Sequence, residues 1–166
     1  LGMVVIDEAH HLASRRQGYK QLPYGLQDIR PRQVLAVTAT AGEETAQHIV
    51  DSLHIDSIII DPHIRENLMI VDERENYKKA EYLLQLIKSG EKVVVYMNSR
   101  LKAVQTAELL REKSPASMQN KICYYHGGLA SADRAAIENA FRSGELQVIV
   151  TTSAFGEGID IPDIRH

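Results

Sequence analysis

The chain has 166 residues, 44% of them hydrophobic and 25% charged, with a formal net charge of −3. That length suits one ordinary domain or two shortened ones, and the composition is that of a globular protein with enough apolar material for a core. No apolar run approaches the length of a membrane span, no basic excess advertises nucleic acid, and the single cysteine, Cys123, excludes an internal disulfide or a cysteine-built zinc site and suits the reducing cytoplasm or nucleus.

Met3-Val4-Val5-Ile6 is a continuous apolar run that ends at Asp7-Glu8, and Val34-Leu35-Ala36-Val37 ends at Thr38-Ala39-Thr40. Apolar residues at every position predict strands covered on both faces, as in parallel sheets. The chain opens on Leu1 with a strand already under way, so it reads as a segment of something longer. The stretch from Leu12 to Gln33 shows no strong period and is expected to be a long surface loop. Thr40-Ala41-Gly42-Glu43 has the form of a capping box, with a helix following to about Leu53, and Ile58-Ile59-Ile60 is expected to be a third strand.

Asp61-Pro62-His63 breaks the pattern and predicts a boundary, giving domains at 1–63 and 64–166. A second series opens at Leu68-Met69-Ile70-Val71. Ala80, Leu83, Leu84 and Ile87 then form one helical stripe that Gly90 ends. Val93 to Met97 predicts a strand and Leu101 to about Lys113 a helix. Ile122 to Tyr125 predicts a strand, Ser131 caps a helix to about Phe141, and Val148 to Thr151 is the last strand. Alternating strands and helices imply an α/β fold with parallel sheets and helices on both faces, with functional residues just past the carboxyl ends of strands.

The strongest chemical signal is Val4-Val5-Ile6-Asp7-Glu8-Ala9-His10. A buried strand that delivers two adjacent carboxylates suits phosphoanhydride cleavage, in which one carboxylate holds Mg²⁺ through water and the next orients the attacking water. That assigns Asp7 to the metal and Glu8 to the water, with His10 coupling the site to a neighbouring segment. An acidic loop after a hydrophobic strand is the plainer alternative.

Asp7-Glu8-Ala9-His10 resembles motif II of superfamily 2 helicases, and Thr38-Ala39-Thr40 resembles motif III. Val95-Tyr96-Met97-Asn98-Ser99-Arg100 is similar to motif IV, and Tyr125-His126-Gly127-Gly128-Leu129 with Arg134 and Phe141 matches a pattern of the second motor lobe. Thr151-Thr152-Ser153-Ala154-Phe155-Gly156-Glu157-Gly158-Ile159-Asp160 resembles motif V. Order and spacing fit over nearly the whole chain, and within the superfamily the likeness is to RecQ-like DNA helicases.

The resemblance implies two partial RecA-like domains, ATP and Mg²⁺ as cofactors, and nucleic acid, DNA before RNA, as partner. It implies that Thr38 and Thr40 link nucleotide state to lobe closure, and that Ser99, Arg100 and Thr152 contact the phosphodiester backbone. By the same likeness Gly156 and Gly158 let the main chain approach a ligand, and Asp160 either accepts a hydrogen bond from the ATP ribose or supports the opposing lobe. Asp160 stands where RecQ-like proteins often carry Asn. Those proteins also have a Trp- and Phe-rich loop between motifs II and III; here residues 11–33 offer Tyr19 and Tyr24 with Arg15, Arg16 and Lys20, expected to contact single strands by stacking and charge.

Two further patterns of the family do not occur in the sequence. There is no Gly-x-x-x-x-Gly-Lys-Ser/Thr to cradle phosphates and no Gln-x-x-Gly-Arg-x-Gly-Arg-like segment, so the isolated chain is expected not to hydrolyse ATP. Duplex translocation without strand separation, action on RNA, and a degenerate motor serving as a binding module are the alternative readings. A metal pair at His10-His11 lacks further ligands in view.

Overall fold

The computed structural model describes residues 2–14, 17–61, 66–75, 78–156 and 159–166. The chain divides into two compact units, Leu1–Leu68 and Met69–His166. Of the expected boundary at Asp61-Pro62-His63, residues 62 and 63 lie outside the described ones.

In the first unit β1 (Met3–Ile6) pairs in parallel with β2 (Gln33–Ala36), Ile6 opposite Ala36. A 3-10 helix at Ala9–Ala13, α1 (Gln17–Ile29) and α2 (Glu43–Leu53) complete it. Ile6, Ala9, Leu12, Ile49 and Leu53 form the core, and Val4, Val34, Ala36, Tyr19, Leu22 and Leu26 pack on it. The expected surface loop at 12–33 is therefore mostly helix: Tyr19, Leu22 and Leu26 recur at helical spacing, a stripe interrupted for the eye by Gly18, Pro23 and Gly25.

Three other expectations are corrected in this unit. Coverage of both strand faces does not hold, because Met3, Val5, Leu35 and Val37 are exposed while their alternate neighbours face the core. Thr40 does not cap α2; Gly42 occupies the N-cap without a side-chain bond. Ile58–Ile60 is not a strand, and Ile59 is 94% exposed.

The second unit holds α3 (Lys79–Lys88), β3 (Val93–Tyr96), α4 (Arg100–Lys113), the short α5 (Ala116–Gln119), β4 (Ile122–Tyr125), α6 (Ser131–Ser143) and β5 (Val148–Thr151). Its sheet is parallel throughout, in the order β3-β5-β4. Here the continuous apolar run does mean two covered faces. Val93, Val95, Val148 and Val150 meet Ile87 of α3 and Ala103, Ala107 and Leu110 of α4. Ile149 and Tyr125 meet Phe141 of α6, with Phe155 and Ile161. Central β5 is buried at all four positions, as an inner strand between helical layers must be.

Gly90, at φ 79°, ends α3 as its position implied, since only glycine takes the left-handed region without strain. Leu68–Val71 is exposed and unpaired in the sheet. Met97 lies one residue beyond β3. Ser131 is the first helical residue of α6, not its cap, which is Ala130. Residues 164–166 run alongside β3 through an Ile164–Lys92 bridge and a Val94 N–H bond to the His166 carbonyl.

Candidate nucleotide and nucleic-acid site

In the first unit the sheet register decides which side chains meet. β1 and β2 end level, the Val37 N–H bonds the Ile6 carbonyl, and the Ala9 N–H returns to the Val37 carbonyl at 3.0 Å. The turn between them bends at Glu8, whose φ of 49° and ψ of 43° lie in the left-handed region. For a residue with a Cβ that conformation costs about 1–2 kcal/mol. The Glu8 N–H bonds Asp7 Oδ1 at 2.8 Å, and Tyr19 donates its hydroxyl to the Asp7 carbonyl at 3.3 Å.

The bent turn sets Glu8 against His10. His10 Nδ1 lies 3.2 Å from Glu8 Oε2, 3.0 Å from Thr38 Oγ1 and 3.4 Å from Thr40 Oγ1. The Thr40 N–H also reaches Thr38 Oγ1 at 3.3 Å. Five of the sequence-derived residues, Asp7, Glu8, His10, Thr38 and Thr40, are thus brought together past the carboxyl ends of two adjacent parallel strands. Thr40 sits two residues before the Gly42 N-cap, and its hydroxyl faces His10 instead of the helix. Asp7 remains exposed, and its hard carboxylate oxygens suit a Mg²⁺ that keeps most of its water. No group of three or more His, Cys, Asp or Glu side chains placed to hold a metal occurs among the described residues; the His10 and His11 rings lie 4.1 Å apart, and His11 meets Tyr19 edge-on.

Tyr19 and Tyr24 sit on α1, not on a loop. Tyr19 is half-buried against the core, while Tyr24 is 70% exposed. Lys20 is exposed on the same helix; Arg15 and Arg16 lie outside the described residues.

In the second unit the carboxyl ends of three strands converge. Ser99 follows β3 and is the N-cap of α4, its Oγ accepting the Lys102 N–H at 3.3 Å. Arg100 lies against the turn after β4: a Cβ at Gly128 would stand 2.9 Å from its guanidinium. A side chain at 128 would therefore displace the Arg100 guanidinium. The Gly128 N–H bonds His126 Nδ1 at 3.2 Å, and the His126 ring stacks on Tyr124, a structural employment for both.

After β5, Thr152 is half-buried and its Oγ1 accepts the Ala154 N–H at 3.5 Å. Gly156 takes φ 140°, and Asp160 is exposed. Gly158 lies outside the described residues. Tyr125 bonds Glu138, and burial together with that carboxylate pushes its phenol pKa up. Burial likewise pushes the Cys123 thiol up, away from nucleophile character.

Sequence reasoning missed two contacts here. Tyr96 bonds the Phe155 carbonyl, and Lys92, 8% exposed, bonds the Arg142 carbonyl and Asp163. A tyrosine closing a valine run and a lysine opening it were the only local signals.

Two parallel sheets with polar side chains gathered beyond their carboxyl ends define an α/β protein of the class that binds ligands at that edge. The chain matches the helicase conserved C-terminal domain over residues 78–166. It is 31% identical over 175 residues to the probable ATP-dependent DNA helicase RecS of Bacillus subtilis, covering 100% of this chain and 34% of the relative. It is 33% identical over 178 residues to the ATP-dependent DNA helicase RecQ of Pasteurella multocida, covering 99% and 26%. The chain therefore spans about a quarter to a third of these relatives' lengths.

Among solved structures, a Saccharomyces cerevisiae Dbp5 variant bound to RNA and ADP BeF3 aligns with a TM-score of 0.71 at 19% identity, over 98% of this chain and 42% of the other. Mycobacterium smegmatis helicase Lhr bound to ssDNA and AMP-PNP aligns at 0.70 and 20%, over 98% and 24%. These two bear out the RecA-like fold. The chain belongs to the helicase family of that conserved C-terminal domain, and its RecQ-like character is borne out by relatives named RecQ and RecS. No helix among the described residues is long and apolar enough to cross a membrane.

Proposed function

We propose that this chain supplies the latter half of one RecA-like lobe (residues 1–63) and most of a second (64–166) to an ATP-dependent DNA helicase that couples hydrolysis to translocation and unwinding. The observation that carries this reading is the convergence on His10 Nδ1 of Glu8, Thr38 and Thr40 within 3.4 Å. A carboxylate that must orient water is thereby wired to hydroxyls of the next strand end, the arrangement a nucleotide-sensing site needs. The family membership and the names of the relatives support it.

In this reading Glu8 takes a hydrogen bond from the attacking water, and His10 holds the Glu8 carboxylate in place through Nδ1. Asp7, fixed by the Glu8 amide and the Tyr19 hydroxyl, holds Mg²⁺ through water; the bound ion would neutralise charge on the phosphates. Thr38 and Thr40 read the position of His10. Ser99 and Arg100 at the start of α4, with Thr152 after β5, hold backbone phosphates, where helix amides and a guanidinium favour an anion. Gly156, Gly158 and Asp160 approach the nucleotide. Tyr24 and Lys20 on α1 contact single strands, and Tyr19 acts from beneath, on the Asp7 turn.

DNA-stimulated ATP hydrolysis by the full-length protein that carries this chain tests the reading. Hydrolysis dependent on Mg²⁺ and abolished by Glu8→Gln is the expected result; a pure protein that neither binds nor hydrolyses ATP would sink it. Strand displacement on a forked DNA then separates unwinding from duplex translocation.

A further inference from the structure

Tyr96 ends β3 and pairs in register with Thr151, the last residue of β5. Four residues further on, the chain leaving β5 doubles back so that the Tyr96 hydroxyl donates to the Phe155 carbonyl at 2.9 Å. The Phe155 ring is 2% exposed, edge-on to both Tyr125 and Phe141 at 5.2 and 5.9 Å. Its side chain is thus fixed by α6 and β4, and its carbonyl by β3.

The next residue, Gly156, has φ 140°, and a Cβ built there would stand 3.3 Å from the Tyr96 hydroxyl. The backbone angle calls for glycine there; a Cβ would also crowd the tyrosine hydroxyl, which would have to give by a few tenths of an ångström. The Tyr96 ring itself is 59% exposed, so it contributes little to the core. What its hydroxyl fixes is an exposed loop at the carboxyl edge of the sheet.

We propose that Tyr96 is a positioning residue whose hydroxyl latches the Phe155 carbonyl and so sets the main chain that Gly156 presents to nucleotide. The nucleotide role rests on the motor reading above; the latch itself does not. Partial desolvation of the hydroxyl end pushes the phenol pKa up, so the hydroxyl keeps its proton through neutral pH and the latch does not titrate there. Removing the hydroxyl leaves a carbonyl at a loop without its donor, a loss of one hydrogen bond, equivalent to about threefold to tenfold in an equilibrium.

The test uses Tyr96→Phe in the full-length protein, with two readouts. Amide hydrogen exchange over residues 152–161 is expected to quicken about threefold to tenfold, because the Phe155 and Ile159 N–H bonds to Thr152 and Gly156 carbonyls close only when the loop is seated. Exchange in β4 should not change. With Mg²⁺ and ATP, KM is expected to rise by about the same factor while kcat stays within about twofold.

Unchanged exchange at 152–161 overturns the latch, whatever the enzyme does. Faster exchange with an unaltered KM overturns the nucleotide role, and equal loosening of β4 shows a merely structural residue and overturns both. A second variant, Gly156→Ala, should lose less affinity in the Tyr96→Phe background than in the wild type, because the clash partner is gone; strictly multiplicative losses contradict the contact. Wild-type protein that cannot hydrolyse ATP defeats the motor reading and the nucleotide role, leaving the exchange result to decide the latch.

Discussion

His10 Nδ1 lies 3.0 Å from Thr38 Oγ1, a bond across 28 residues that joins the turn after β1 to the turn after β2. The same nitrogen faces Glu8 at 3.2 Å, so a hydroxyl and a carboxylate share one ring atom, and moving either re-aims the other. In the full-length protein Thr38→Val keeps the shape and removes the hydroxyl. DNA-stimulated turnover is expected to fall about threefold to tenfold, the worth of one hydrogen bond of about 0.5–1.5 kcal/mol. Denaturation midpoints should barely move, since Thr38 lies outside the core cluster. Wild-type turnover in this variant would show that the contact plays no part in coupling.

Glu8 and Asp7 are adjacent but divide the work, because the left-handed turn sends Glu8 towards His10 while Asp7 stays exposed. Glu8→Gln should cut kcat by about 10²–10⁴, the usual contribution of a positioned base, with ATP binding retained. Asp7→Asn should instead raise the Mg²⁺ concentration needed for half-maximal turnover. Titrating Mg²⁺ against both variants checks the division; identical Mg²⁺ dependence in all three proteins would refute it.

The two tyrosines of α1 should separate as well. Tyr24 is exposed, so Tyr24→Ala should weaken single-stranded DNA binding by about 1–3 kcal/mol if a base stacks there and leave DNA-free ATP turnover alone. Tyr19 packs on the core and bonds the Asp7 carbonyl, so Tyr19→Phe should change DNA-free turnover and spare DNA affinity. Fluorescence-anisotropy binding beside a basal ATPase assay distinguishes them, and the opposite pattern would reverse the assignment.

The elements of the second unit were legible because its strands are covered on both faces: Val93–Val95 and Val148–Val150 are unbroken valine and isoleucine runs, and α3 before them carries a helical stripe that Gly90 ends. The first unit misled because its sheet presents one bare face. Met3, Val5, Leu35 and Val37 look identical in sequence to Val4, Ile6, Val34 and Ala36, yet only the latter face the core. α1 was hidden for a different reason. Its stripe is three residues long and Pro23 sits inside it, so tertiary packing, not propensity, decides that it is helical. Of the site, the residues at strand ends could be read from order and spacing, but not the convergence on His10. That depends on Glu8 taking a left-handed conformation that no glycine or asparagine announced.

The missing phosphate loop gives a prediction that needs no variant. Residues 1–166 contain no Gly-x-x-x-x-Gly-Lys-Ser/Thr, and orienting water is of no use without a cradle for the phosphates. Purified residues 1–166 should show ATP hydrolysis at background level by a phosphate-release assay. Mg²⁺-dependent turnover that co-purifies with the chain and disappears with Glu8→Gln would mean that another segment binds the phosphates.

The last prediction concerns pH. Lys92 is buried, with Nζ 2.8 Å from Asp163 Oδ2 and 3.1 Å from the Arg142 carbonyl, and its ammonium lies over the Phe141 ring. The hydrogen bond from Lys92 is the main reason the Asp163 carboxyl is held below its usual range. A depressed carboxyl stabilises the folded state above its unfolded pKa, about 3.9, and that stabilisation is lost as pH falls through the lower folded value. The denaturation midpoint of wild type should therefore exceed that of Asp163→Asn at pH 7 and approach it as the pH drops below about 3.9. Lys92→Met should remove most of the difference, leaving what the Asp163 backbone and Arg165 contribute, and also strip the Arg142 carbonyl of its donor, costing about 1–3 kcal/mol. Because Lys92 bridges β3 to residues 163–166, which run beside it, the loss should appear first as faster amide exchange at Arg165 and His166; slow exchange there in Lys92→Met would show that the backbone pairing alone holds the segment.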